Sequence, residues 1–191
     1  WEEGGGMRVG PQSAGAKPGP ACYAQGGTQP TITDANLVLG RIDPDHFLDG
    51  RMRLDVEAAR KAVGNFAAKF GMDIPTAAEG ILGIANHKMA DAIREITVRR
   101  GIDPREFTLL AFGGAGPMHA AHIAEELGIE EVMVPAVPGG FSAWGMLQAD
   151  IRHDAVRTQM APMDEVASET IDQIFDVLYE ELCGVLKKEG I

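Results

Sequence analysis

Residues 109 to 129 read LLAFGGAGPMHAAHIAEELGI, an apolar run that breaks at Gly113, Gly114 and Gly116 and then resumes with helical spacing. A strand, a tight turn and a helix start in that order leave backbone N–H groups pointing past the strand end, which is the geometry of an anion site. Glycines let a phosphate or a ribose approach the backbone without meeting a Cβ. Gly113, Gly114, Ala115, Gly116 and Pro117 are therefore the candidate nucleotide-binding residues. The string lacks the Lys-Ser/Thr of a P-loop, and no acidic residue ends the next strand as a dinucleotide fingerprint requires. A turn that serves only close helix–strand packing is the competing reading.

Just downstream, His119, His122 and Glu126 could set three metal ligands along one helix. Spacings of three and four residues put such side chains on adjoining parts of a face. The same helix must bury Ala120, Ala121, Ile123, Ala124 and Leu127, which leaves the histidines at its edge. Histidines at the surface, or supporting other groups, are favoured over a metal site, and none is assigned. His119, three residues after Gly116, is the one able to lean towards a ligand.

A second set of polar groups lies where a glycine-rich loop meets a helix start. Asp34 could orient a substrate or a metal-bound water, but capping by Thr33 or Asp34 is the favoured reading. Ser13 has no base beside it in sequence, and Cys22 reads as a small buried thiol rather than a nucleophile. Ser13, Gly15, Asp34 and Asn36 are carried as candidate residues of a substrate-binding or structural loop. No catalytic residue is assigned.

These side chains need elements to hold them. WEEGGGMRV reads as the remnant of a hairpin over residues 1–9, turning at Glu2 to Gly6 and returning as a strand at Met7 to Val9. Between Gly10 and Pro30 nine of 21 residues are Gly or Pro, so a loop without regular elements is expected, ordered on a surface. TDANLVLG then opens a short helix ended by Gly40. LDVEAARKAVGNFAAKFG forms another, with Asp55 as cap and Gly71 as stop.

Thr76 and Glu79 suggest a capping box for a helix of about 24 residues, with Ile81, Ala85, Met89, Ile93 and Ile96 on one face. FTLLAFGG is read as a strand buried on both faces. The helix GPMHAAHIAEELG and the strand EEVMVP complete a parallel β-α-β unit. PGGFSAWGMLQAD is a small-residue helix, HDAVRTQM a strand, and residues 159–191 an amphipathic helical extension.

Composition limits what such a chain can meet. With 191 residues, 45% hydrophobic and 24% charged, it is globular, and a net charge of −11 argues against a nucleic-acid partner. Residues 164–191 carry eight carboxylates against two lysines, as a solvated helix face does. Two cysteines are too few for a disulfide framework and suit a reducing, cytoplasmic setting. No segment reaches the ~18 apolar residues of a membrane span, so no membrane partner is expected. Trp1 in place of a starting Met suggests a piece of a longer polypeptide.

The strings GPQSAGAKPGPACYAQGG, TDANLVLGRIDPDHFLDGRM, AAEGILGIANHKMADAIREITVRRGIDPREFTLLAFGGAGPMHAAHIAEELGI and VPAVPGGFSAWGMLQADIRHD together closely resemble the hydantoinase A and 5-oxoprolinase family, which includes acetone-carboxylase-type β subunits. The likeness spans residues 1–158. It implies an α/β fold: a helix-rich partial lobe of an actin-like (ribonuclease H-like) ATPase with a small parallel β-α-β unit, residues 55–150 forming the nucleotide-side lobe. In such folds LLAFGGAGPMHA looks like the strand-GG-helix element that contacts the adenosine part of ATP.

The resemblance further implies ATP-driven activation and opening of a cyclic amide such as 5-oxoproline or a hydantoin. It implies Mg²⁺ held by residues outside this chain, and a hydantoinase B-type subunit or domain as partner. The phosphate loops of the fold are expected in sequence preceding this piece, so the piece alone should be inactive. Ala24-Gln25 departs from the Gly-Arg that commonly follows Cys-Tyr in the family, removing a cation that would meet an anionic substrate. An ATP-dependent carboxylase β subunit and a non-catalytic interaction module are the alternatives.

Overall fold

The computed structural model describes residues 6–162 and 166–190. Its first three α-helices begin where side chains satisfy the open N–H groups of a first turn. Helix α1 (Ile32–Val38) is closed by Thr31 and Asp34: the Thr31 hydroxyl accepts from the Asp34 N–H, and the Asp34 carboxylate accepts from the Thr31 N–H. The expected cap at Thr33 or Asp34 is thus displaced to Thr31, because only the Thr-x-x-Asp pair satisfies both donors reciprocally.

Helix α2 (Val56–Ala67) starts at Asp55, as expected, with the carboxylate accepting from the Ala58 N–H at 2.9 Å. Its last residues tighten into a 3-10 turn that stops at the left-handed Gly71. Helix α3 (Ile74–Thr97) has the expected 24 residues, but its cap is Asp73, whose carboxylate takes the Thr76 N–H at 2.8 Å. Pro75 fits the first turn because it has no N–H to leave unsatisfied. Thr76 therefore serves as a donor inside the helix, and the expected Thr76–Glu79 box is not the start.

Strand β1 (Leu109–Leu110) lies parallel to β2 (Val132–Met133), in register Leu109 with Val132 and Leu110 with Met133. Helix α4 (Gly116–Leu127) connects them and ends at the left-handed Gly128. The fold is mixed α/β, helix-rich, with this small two-stranded parallel sheet. The expected burial of β1 on both faces does not hold: Leu110 is 41% and Phe112 44% exposed. Helix α4 packs on the strand pair, and Leu110, Val132 and Met133 stay 39% to 58% exposed.

The core of the first helices is built on small residues. Ala35, Val63, Ala67, Ala77, Ala78, Ile81 and Leu82 join α1, α2 and α3, and alanines there let the helix axes approach. Ala90, Ile123, Ala124, Leu127 and Ile129, with Leu109, join α3 to α4 and β1. Met7 and Val9 pack against the first of these clusters, and the Lys88 ammonium donates to the Val9 carbonyl. This segment runs along α3 rather than as the expected strand; the Glu2-to-Gly6 turn lies mainly outside the described residues.

Residues Trp1–Ser142 and Ala143–Ile191 form two compact units. Helix α5 (Phe141–Gln148) begins in the first. In the second, residues 150–160 form no helix or strand, so the expected strand HDAVRTQM is absent. Alternating polarity is insufficient without a neighbouring strand to share the ladder. Helix α6 (Ser168–Glu189) follows, and His153 Nε2 meets Glu189 Oε2 at 2.9 Å within this unit. Among the described residues no helix is long and apolar enough to cross a membrane.

Candidate functional site

The glycine turn stands at the C-terminal end of β1. Gly113 takes a left-handed φ of +83°, a conformation only glycine adopts without strain, and its N–H donates to the Pro138 carbonyl at 2.8 Å. That bond ties the turn to the short 3-10 turn before α5, and Phe112 and Phe141 pack with ring centroids 5.4 Å apart. No side chain caps α4, whose N-cap is Ala115 and whose second residue is Pro117. Gly114 and Ala115 are exposed, and Gly113, Gly116 and Pro117 partly so.

Why glycines stand here can be asked position by position. A Cβ added at Gly113, Gly114 or Gly116 would meet no atom within 4 Å. Dihedral strain therefore requires glycine at 113 alone, and packing among the described residues requires it at none of the three. What glycine leaves at 114 and 116 is an open approach to the backbone.

His119 lies one turn into α4 and is 3% exposed, with Nδ1 2.7 Å from the Asn86 amide oxygen on α3. Burial lowers its pKa, and the nearby Arg41 and His122 lower it further, so the neutral ring is favoured. His122 is exposed, whereas Glu126 bonds His87 at 2.7 Å and Arg94 at 3.1 Å. His119 and Glu126 thus turn to different neighbours. Among the described residues no group of three or more His, Cys, Asp or Glu is placed to hold a metal ion.

Ser13 and Gly15 line a groove of about 540 Å³, with Arg8, Gln29, Thr31 and Thr33 as polar neighbours and Phe66 and Ile81 as apolar ones. Among the described residues, Arg8 is the only charged one of that lining. Asp34 and Asn36 do not line it. Asp34 is fully buried and holds the loop: its carboxylate accepts from the N–H groups of Ala21, Cys22 and Thr31 and from the Thr31 hydroxyl, at 2.8 to 3.1 Å. Asn36 Nδ2 donates to the Ile32 carbonyl, and its Oδ1 is sealed without a partner. Cys22 is buried beside Asp34; burial, then the carboxylate's charge and hydrogen bond, push its thiol up to about 12.

Helix α3 touches both places: Ile81 lines the groove, and Asn86 holds the helix that follows the glycine turn. Sequence reasoning missed Asn86 and Thr31. Asn86 signals itself only as a polar residue within the apolar stripe of Leu82, Ala85 and Ala90. Thr31 could have been found as the start of a Thr-x-x-Asp box.

Comparison with known proteins agrees with this architecture. The family described as Hydantoinase/oxoprolinase matches residues 1–155, and the chain belongs to that family. It is 46% identical over 189 residues to an uncharacterised protein of Methanocaldococcus jannaschii, covering 99% of this chain and 27% of that protein. The crystal structure of the ATP-dependent caprolactamase from Pseudomonas jessenii superposes with a TM-score of 0.75 at 39% identity, over 100% of this chain and 28% of that one. A nucleotide-free acetone carboxylase structure gives 0.70 at 35% identity, over 76% and 21%. The chain thus spans about a quarter of the length of the relatives it matches.

Proposed function

We propose that this chain is the adenosine-side portion of an ATP-dependent enzyme that opens cyclic amides. The observation that carries the reading is the exposed 113–117 turn, where Gly114 and Gly116 answer to no packing need of the described residues. An uncapped helix start beside a backbone free of Cβ atoms suits a nucleotide. Family membership and the likeness of the whole chain to part of a protein titled ATP-dependent caprolactamase support cyclic-amide chemistry, with the carboxylase as the alternative.

In this reading the actin-like lobe of the resemblance places Mg²⁺ and the phosphate loops outside these residues. ATP would supply the free energy to make a resonance-stabilised amide carbonyl susceptible to water. The groove at Ser13 and Gly15, with Arg8 beside them, is the candidate substrate side. A hydantoinase B-type partner and a cytoplasmic setting belong to the same proposal. An interaction module without catalysis would leave the open turn unexplained.

Two measurements on the complete protein with its partner test this. Cyclic-amide-dependent release of ADP is expected with 5-oxoproline, a hydantoin or caprolactam, and turnover only with acetone plus bicarbonate would instead establish the carboxylase. Gly114→Val should lower ATP affinity in calorimetry with an unchanged circular dichroism spectrum, because its side chain enters space that no described atom fills. Equal affinity in two folded proteins would reduce the turn to a connection.

A further inference from the structure

We infer that the Nε2 edge of His119 accepts a hydrogen bond from a donor on the sugar or base of the nucleoside held at the 113–117 turn. The inference rests on the reading of that turn as a nucleotide site and assigns it a specific polar contact. Helix side chains lean towards the helix N-terminus, so the fourth residue of α4 leans towards the turn that precedes it. Its other ring nitrogen is already committed. Asn86 Oδ1, at 2.7 Å, can only accept, so Nδ1 carries the proton and Nε2 presents a lone pair.

Nε2 has no hydrogen-bond partner among the described residues. Asn36 Oδ1 is the one sealed side-chain N or O atom there without a partner, so Nε2 is still reached from solvent although the residue is 3% exposed. Burial first, then the nearby Arg41, lower the His119 pKa and so favour the neutral ring with its lone pair available. Such an acceptor fits one end of a nucleotide only. Phosphate oxygens accept and would face it unfavourably, whereas ribose hydroxyls and an exocyclic amine donate. Asn86 is then a positioning residue that fixes the tautomer through the α3–α4 contact.

The test uses calorimetry on the complete protein with ATP, 2′-deoxy-ATP, 3′-deoxy-ATP and inosine triphosphate, which lacks the exocyclic amine. On the wild type, the analogue missing the donor that meets Nε2 should bind about tenfold more weakly, the size of one net hydrogen bond. His119→Asn keeps a short amide able to reach Asn86 but has nothing at the far edge; it should lose about the same affinity and no longer distinguish that analogue from ATP. His119→Gln, which places an amide oxygen at the far edge, should recover most of the loss. Equal binding of all four nucleotides by the wild type, or wild-type ATP affinity in a folded His119→Asn, overturns the inference while leaving the nucleotide site standing. A wild type that binds no ATP sinks both.

Discussion

Asp34 shows how much one buried carboxylate can hold. It gathers two buried backbone donors from the 10–30 loop and the two donors of Thr31, so it fastens a glycine-rich segment to the start of α1. Replacing it by alanine leaves the Ala21 and Cys22 N–H groups without an acceptor, at about 1–3 kcal/mol each. Asp34→Ala is expected to destabilise on the order of 3 kcal/mol, seen as a lower denaturant midpoint in urea titration. A change within a few tenths of a kcal/mol would mean that water replaces the carboxylate and the loop is not fastened there.

The neighbouring thiol gives a pH prediction. Burial first and Asp34 second raise the Cys22 pKa to about 12, so the folded state holds its proton more tightly than the unfolded chain. Its contribution to stability is complete below the ordinary thiol pKa near 9 and is lost as pH rises from there towards 12. Native protein at pH 8 should therefore resist iodoacetamide at Cys22 while the unfolded chain is modified, as peptide mass spectrometry would report. Rapid native labelling would place the thiol at the surface.

At the scale of elements, α2, α3 and the β-α-β unit were readable because apolar spacing and glycine stops act within a few residues of chain. Helix starts were less so: Thr31 competes with Thr33 and Asp34, and Asp73 with Thr76. Each rival is chemically able to cap, and only the reciprocal bonds decide. The Asn86–His119 pair was not readable, since its partners lie 33 residues apart and meet only when α3 and α4 pack. The glycines of the candidate site stood out in sequence, whereas the open space around Gly114 is a tertiary fact.

Glycines within elements differ for the same reason, and two substitutions expose it. A Cβ at Gly27 would lie 2.1 Å from the Gly19 carbonyl oxygen, a backbone atom with no side chain to move aside. Gly27→Ala is expected to cost about 2 kcal/mol or more. Gly83 sits exposed within α3, with nothing within 4 Å of an added Cβ, so Gly83→Ala should stabilise by roughly 0.5–1 kcal/mol through helix propensity. Thermal melts of the two variants should move in opposite directions; a common direction would contradict the loop packing or the helix.

The whole molecule distributes its burial unevenly, and this sets a stability order that can be measured. Helix α3 buries Ala77, Ala78, Ile81, Leu82, Ala85, Asn86 and Ala90 against its neighbours, whereas α6 buries no residue and leaves Phe175 65% and Tyr179 71% exposed. An amphipathic pattern made α6 easy to read as a helix, yet the pattern says nothing about what lies against its apolar stripe. Intrinsic propensity alone keeps a helix of this length marginal in water, and tertiary burial supplies the rest. In the 191-residue chain, the amides of α6 should therefore exchange with deuterium at least about a hundredfold faster than those in the middle of α3, a gap of roughly 2.7 kcal/mol in opening free energy. Peptide-resolved exchange at neutral pH reads this directly, with the exposed amides of residues 150–160 as the unprotected reference. Equal protection in α3 and α6 would show that the apolar stripe of α6 is buried in solution.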